Sequence, residues 1–128
     1  MGFWLLMLLF DLLIPATMVG FGSLFVKKPP KDINAVYGYR TARSMKNHAT
    51  WDFAHRCAGR FWLRWGRITL AVSVLWMLVL LGKPTDTVGL WGGILCGVQL
   101  IPMLAVIPVT ERALKCSFDE FGRRRPEA

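Results

Sequence analysis

Several things are scarce in this sequence. Eight Asp and Glu stand against sixteen Lys and Arg among 128 residues, leaving a net charge of +8. That balance would suit nucleic acid, but no recognition module accompanies it, and direct nucleic-acid binding is not expected. Cys57, Cys96 and Cys116 form neither a CxxC pair nor a Cys/His metal pattern, so small apolar fillers are the expected role. The two histidines, His48 and His55, lie seven apart and share a helix face, yet no carboxylate joins them at ligand spacing. There is no Gly-rich phosphate loop and no GxSxG, and the scattered Ser, His and Asp carry no geometry that would make a triad. These absences leave no expected enzyme, metal or cofactor. Long polar runs are scarce too: one stretch, Ile33 to Arg67, stands alone in an apolar chain.

What is plentiful is apolar sequence: 54% of residues, with a mean hydropathy of +0.40 and six Trp, against about 45–50% in soluble domains. The apolar residues fall into runs long enough for a hydrocarbon core of about 30 Å, which takes roughly 20 helical residues. Spans are expected at about 3–26, 64–82 and 88–109. The first lacks the basic leader and small-residue cleavage site of a signal peptide, and reads as an uncleaved helix. Asp11 within it is costly unless it faces a protein interior or water, or sits near enough to the outer interface to stay hydrated. Pro15 is a candidate kink, and Ala16 and Gly20 make a small-xxx-small step suited to close helix approach. The third run has another texture. Gly89, Gly93 and Gly97 form a smooth ridge for packing, Gln99 is polar at mid-membrane, and Pro102 frees a carbonyl near Val98. Gln99 and Pro102 fit a helix-to-helix bond and a packing kink, or the lining of a polar cavity.

Between the first two spans, residues 27–63 combine a loop with a helix. Lys27, Lys28, Pro29, Pro30 and Lys31 end the first span, and Asp32 to Arg43 reads as a loop with Gly38 supplying backbone freedom. Trp51, Ala54, His55, Ala58, Trp62, Trp65 and Thr69 then recur at helical steps, with Arg56, Arg60, Arg64 and Arg67 on the opposite face. That pattern predicts an amphipathic helix at the membrane interface, running directly into the second span, with Asn47 or Ser44 capping its start. Gly82 to Asp86 makes the outer turn, and the tail 110–128 begins by continuing the third helix. The expected fold is an all-α integral membrane protein of one domain, with three transmembrane helices plus a cytoplasmic interfacial helix continuous with the second.

Topology follows from charge. Residues 27–67 carry ten of the sixteen basic side chains, the tail five and the outer turn only Lys83. The positive-inside rule places the N-terminus outside, and the polar stretch and tail in the cytoplasm, beside anionic lipid headgroups. A cluster of hydrogen-bonding residues lies at that inner interface: Asn34, Tyr37, Tyr39, Arg40, Thr41, Ser44 and, from the end of the third span, Glu111. Arg40 is matched best by a carboxylate, and Glu111 emerges on the same side. Either the two pair, tying loop to helix, or both are solvated headgroup contacts.

These residues also carry a resemblance. Asn34-Ala-Val-Tyr-Gly38-Tyr39-Arg40-Thr41, then Ser44-Met45-Lys46-Asn47 and Trp51-Asp-Phe-Ala54, resembles the signature of the SdpI family of bacterial immunity proteins. The tail from Pro108 through Glu111 and Phe118 to Gly122 is similar to the family's end. Ala42 stands where members often carry Pro, and His55 where Asn is common. The chain is also shorter than the family's namesake. The resemblance implies a protein of the bacterial cell membrane that protects its producer from a secreted membrane-active peptide toxin. In some members it implies signalling through a cytoplasmic repressor. It marks Asn34, Gly38, Tyr39, Arg40, Thr41, Ser44, Trp51 and Glu111 as motif or binding candidates, with Asp11 and Gln99 as intramembrane polar positions. A small transporter or channel, built as a homo-oligomer around Asp11, Gln99 and Pro102, is the alternative from another class. A lipid-binding scaffold using the Arg face is a third.

Overall fold

The structure, a computed structural model, describes residues 2–34 and 38–124. Tyr37, one of the hydrogen-bonding residues expected to cluster with Arg40, lies outside the described residues. Three helices account for most of the rest: α1 (Gly2–Lys27), α2 (His48–Val79) and α3 (Thr85–Ser117). Each is long and apolar enough to cross a membrane. At 1.5 Å per residue, α2 and α3 are each roughly 50 Å long, so both outrun a hydrocarbon core of about 30 Å. The end of the bundle where α2 begins and α3 finishes is called here the motif end, and the other the turn end.

The outer surface of the bundle is apolar, the reverse of a soluble protein. Val79 and Ile101 are 73% and 70% exposed, and Leu75, Leu9 and Leu90 also face outward. Two small cores lie within. At the turn end Met77, Leu80, Val88 and Leu95 pack with Trp4, Met7, Leu8 and Trp76. At the motif end Ala54, Leu114 and Phe118 pack with Tyr39 and Phe53.

Close approach between helices comes from other glycines than the stripes singled out in the sequence. A Cβ on Gly22 would stand 2.7 Å from the Leu63 nitrogen and 2.9 Å from the Gly59 carbonyl oxygen. One on Gly59 would meet the Gly22 carbonyl at 2.9 Å. These obstacles are backbone and cannot swing aside, so α1 and α2 touch main chain to main chain there. Of the Gly89–Gly93–Gly97 ridge, Gly89 alone lies near another helix among the described residues, where an added Cβ would stand 3.6 Å from the Phe3 ring. A Cβ on Gly93 or Gly97, as on Gly20, would meet nothing within 4 Å among the described residues. The reason is the burial of Gln99. The α3 face that turns inward carries Val88, Gly92, Leu95, Gln99, Val106, Thr110 and Leu114, and at about 100° per residue Gly93 and Gly97 fall outside it.

The helix expected after the loop is continuous with the second span, as its sequence suggests, and is not a separate element. Residues 48–63 are the first half of one unbroken α2, and their Trp51, Ala54, His55, Ala58 and Gly59 are buried. Asn47 caps α2: its side chain accepts from the Thr50 amide at 2.9 Å, while Thr50 Oγ1 accepts from the Asn47 amide at 3.1 Å. The tail folds back over this cap. Gly122, at φ 80°, offers its carbonyl to Asn47 Nδ2 at 2.7 Å, and Arg124 lies over the rings of Phe53 and Phe118.

Candidate functional site

Two polar regions lie inside this apolar molecule. The first is at the motif end, where the loop between α1 and α2 is latched to both longer helices. Gly38 makes the entry possible. Its φ is +113°, and a Cβ there would stand 2.6 Å from His55 Nε2, so both backbone and space require glycine. Directly after it, the Tyr39 amide donates to His55 Nε2 at 2.9 Å. An amide can only donate, so Nε2 is the bare nitrogen and the ring proton sits on Nδ1. That proton is given to the Trp51 carbonyl, at 2.8 Å. His55 is thus fixed as one neutral tautomer, with Phe25 packed edge-on against it.

The loop then reaches α3. Tyr39 Oη donates to Glu111 Oε2 at 2.9 Å, and Thr41 Oγ1 donates to the same oxygen at 2.9 Å. Ser44 closes the loop on itself, accepting from the Thr41 amide at 2.8 Å and donating to the Tyr39 carbonyl at 3.0 Å. Thr50 Oγ1 in turn donates to the Ser44 carbonyl at 3.0 Å. Trp51 anchors the other arm of the loop, its indole donating to the Pro30 carbonyl at 2.8 Å. Burial, and then the Glu111 carboxylate beside it, raise the Tyr39 phenol above its ordinary 10.0.

The motif residues from Gly38 to Thr41, with Ser44, Trp51 and Glu111, therefore come together. Glu111 is the loop's tie to α3, as the sequence suggests, but through Tyr39 and Thr41, the neighbours of Arg40. Arg40 itself is exposed and stands at the rim of an adjoining cavity of about 310 Å³, walled by Phe25, Trp62 and Met103. Asn34 donates to the Asp32 carbonyl at 3.0 Å, within the loop's first half.

The second polar region lies midway along the bundle and joins all three helices. Pro15 has no amide hydrogen, which leaves the Asp11 carbonyl without its helical donor. Gln99 Nε2 takes that carbonyl at 2.6 Å and also donates to Ser73 Oγ at 2.7 Å. Cys96 Sγ donates to Asp11 Oδ1 at 2.7 Å, so it is a polar partner rather than the filler expected of it. Asp11 and Gln99 are 0% and 1% exposed, which places Asp11 in the protein interior rather than at a hydrated interface. Asp11 Oδ2 and Gln99 Oε1 have no hydrogen-bond partner among the described residues.

The sequence does not single out His55, Ser73 or Cys96 as site residues. His55 does carry a signal: it shares the helical face of Trp51, Ala54 and Ala58, all of which are buried. Ser73 and Cys96 carry none, because nothing local distinguishes a helix-bridging Ser or Cys from a filler. No group of three or more His, Cys, Asp or Glu able to hold a metal occurs among the described residues.

Fold and site together define a small multi-pass helical membrane protein whose inter-helix loop is hydrogen-bonded onto its second and third helices. The family model for the SdpI/YfhL protein family matches residues 31–110, which run from within that loop to the residue before Glu111. The chain belongs to the SdpI/YfhL family. It is also similar to the uncharacterized protein YfhL of Bacillus subtilis (strain 168), with 38% identity over 58 residues. That match covers 45% of this chain and 53% of YfhL, about half the relative's length. No solved structure matches the chain.

Proposed function

We propose that the chain is a membrane immunity protein that protects the cell carrying it from a secreted, membrane-active peptide toxin. Family membership supports the class. The observation that carries the reading to a site is the convergence of Tyr39 and Thr41 on one oxygen of Glu111. It holds an otherwise irregular loop rigid beside the 310 Å³ cavity, with the cationic Arg40 at the rim. In this reading an apolar side chain of the toxin enters the cavity and the ordered loop supplies polar contacts. Rigidity matters because a loop that must be ordered on binding loses affinity to that ordering. The motif end faces the cytoplasm, as its basic residues favour, and a repressor recruited there would read the same surface.

Expressing the chain in a toxin-sensitive bacterium and measuring survival against membrane-active peptides tests this. Survival is expected with the wild type and lost with Glu111→Ala at equal membrane abundance. Equal survival with and without the wild-type chain would refute immunity.

A transporter reading draws its support from Asp11 and Gln99. Their near-complete burial and their bonds to neighbouring helices suit a packing role better than a conducting path. Proton or solute flux in liposomes decides between them: an immunity protein gives none, and an Asp11-dependent flux would favour transport.

A further inference from the structure

A groove of about 640 Å³ runs between α2 and α3, separate from the cavity at the loop. Its walls are apolar, including Ile68, Val98, Ile101 and Ala105, and its polar floor residues Ser73 and Gln99 spend their donors within the protein. Arg60 and Arg64 stand at its motif end, one helical turn apart, and no carboxylate pairs with either among the described residues. From Arg64 to Ser73 the helix rises about 14 Å, which is roughly one leaflet of a 30 Å core.

We propose that this groove is a binding site for one anionic phospholipid, with its phosphate between Arg60 and Arg64 and an acyl chain lying along the groove. Charge complementarity selects this occupant. Two guanidinium forks on one face match the oxygens of a single phosphate, and the walls offer only apolar surface to the hydrocarbon attached to it. A second copy of the chain fits less well. Of the helices' acidic side chains Asp11 is buried, Glu111 is bonded to Tyr39 and Thr41, and Asp86 lies at the turn end, so a helix laid into the groove brings at most Asp52 to answer two arginines. The site goes beyond general attraction of basic residues to an anionic surface, because it requires these two arginines and not others.

Trp65 lines the groove and is 42% exposed, which makes it a reporter. The protein is reconstituted in phosphatidylcholine vesicles containing either brominated phosphatidylglycerol or brominated phosphatidylcholine at equal mole fraction. The quenching of Trp65 is read as the difference between the wild type and Trp65→Phe. The wild type should prefer the anionic lipid by roughly fivefold for each arginine, the factor equivalent to about 1 kcal/mol per basic residue at an anionic surface. Arg60→Gln/Arg64→Gln should bring the ratio near one, and Ala105→Phe, which fills the groove, should lower it. Arg67→Gln/Arg112→Gln removes the same charge outside the groove and should leave the ratio unchanged. Equal losses in the two double variants would show a diffuse surface field and overturn the site. So would a wild-type ratio of one, or quenching that falls with protein density whatever the headgroup, the mark of a second copy covering the groove.

Discussion

The loop latch at the motif end and the polar knot at mid-bundle are built from similar residue types but differ in what they join. The latch ties an irregular segment to two helices, and its donors and acceptors are matched: Tyr39, Thr41, Ser44, His55 and Glu111 satisfy one another. The knot ties helix to helix, and it leaves Asp11 Oδ2 and Gln99 Oε1 without partners among the described residues. Helices keep their own backbone bonds whether or not the knot forms, whereas the loop has no regular structure to fall back on. The latch is therefore expected to be the more consequential of the two for the site, and the knot for the way the helices sit together.

The largest effect should come from Glu111→Ala. It removes the acceptor of two hydrogen bonds to a charged group, each worth about 1.5–3 kcal/mol. Limited proteolysis of the protein in membranes should then cut the 38–47 segment at least a hundredfold faster. Next comes Gly38→Ala, which forces a side chain into a positive-φ position at a cost of about 1–3 kcal/mol and pushes on His55. The same cleavage assay should show an intermediate rate, with α-helix content by circular dichroism unchanged. Gln99→Leu should cost less, about 1 kcal/mol, the range measured for interhelical hydrogen bonds in membranes. Its effect should appear in thermal unfolding in detergent, with the loop's protease resistance unaltered. Comparable loop cleavage in Gln99→Leu and Glu111→Ala would erase the distinction between the two regions.

The smallest effect concerns alkali. The Tyr39 phenol is held above 10.0 in the folded chain, so the unfolded chain loses this proton first as pH rises. The latch's contribution is fully present below the ordinary tyrosine value and fades as pH climbs through the raised one. In Tyr37→Phe, which leaves Tyr39 the sole tyrosine, phenolate absorbance should appear at higher pH than in free tyrosine. Glu111→Ala should bring it back towards the ordinary value.

The three spans were legible because runs of twenty apolar residues have few other uses. The loop between the first two spans stood out because Gly38 and its polar neighbours interrupt that pattern. Glu111 could be placed beside the loop from the charge-derived topology and its position just after the third span, but its partners could not. Arg40 has the stronger charge, yet Tyr39 and Thr41 carry the contact with Glu111, since phenol and hydroxyl reach the carboxylate oxygen from half-buried positions while Arg40 stays exposed. The glycine stripes misled for a similar reason. Spacing marks a smooth face, but which face turns inward was decided by Gln99 and by the backbone contact of Gly22 with Gly59. Both are relations between distant residues that no local window contains. The helix after the loop and its continuity with the second span were legible, but not that its Trp-lined face is covered by the rest of the bundle, because an Arg-rich face looks the same whatever its opposite face meets.

The central claim is that Thr41 and Glu111 act as one unit in holding the loop. A double-mutant cycle on backbone hydrogen exchange across residues 38–44 tests it, using Thr41→Val, Glu111→Gln and both together in one membrane mimetic. The account predicts non-additive effects, with the double variant scarcely more exposed than the worse single one. Additive losses of protection would mean that the two residues act independently, and would contradict it.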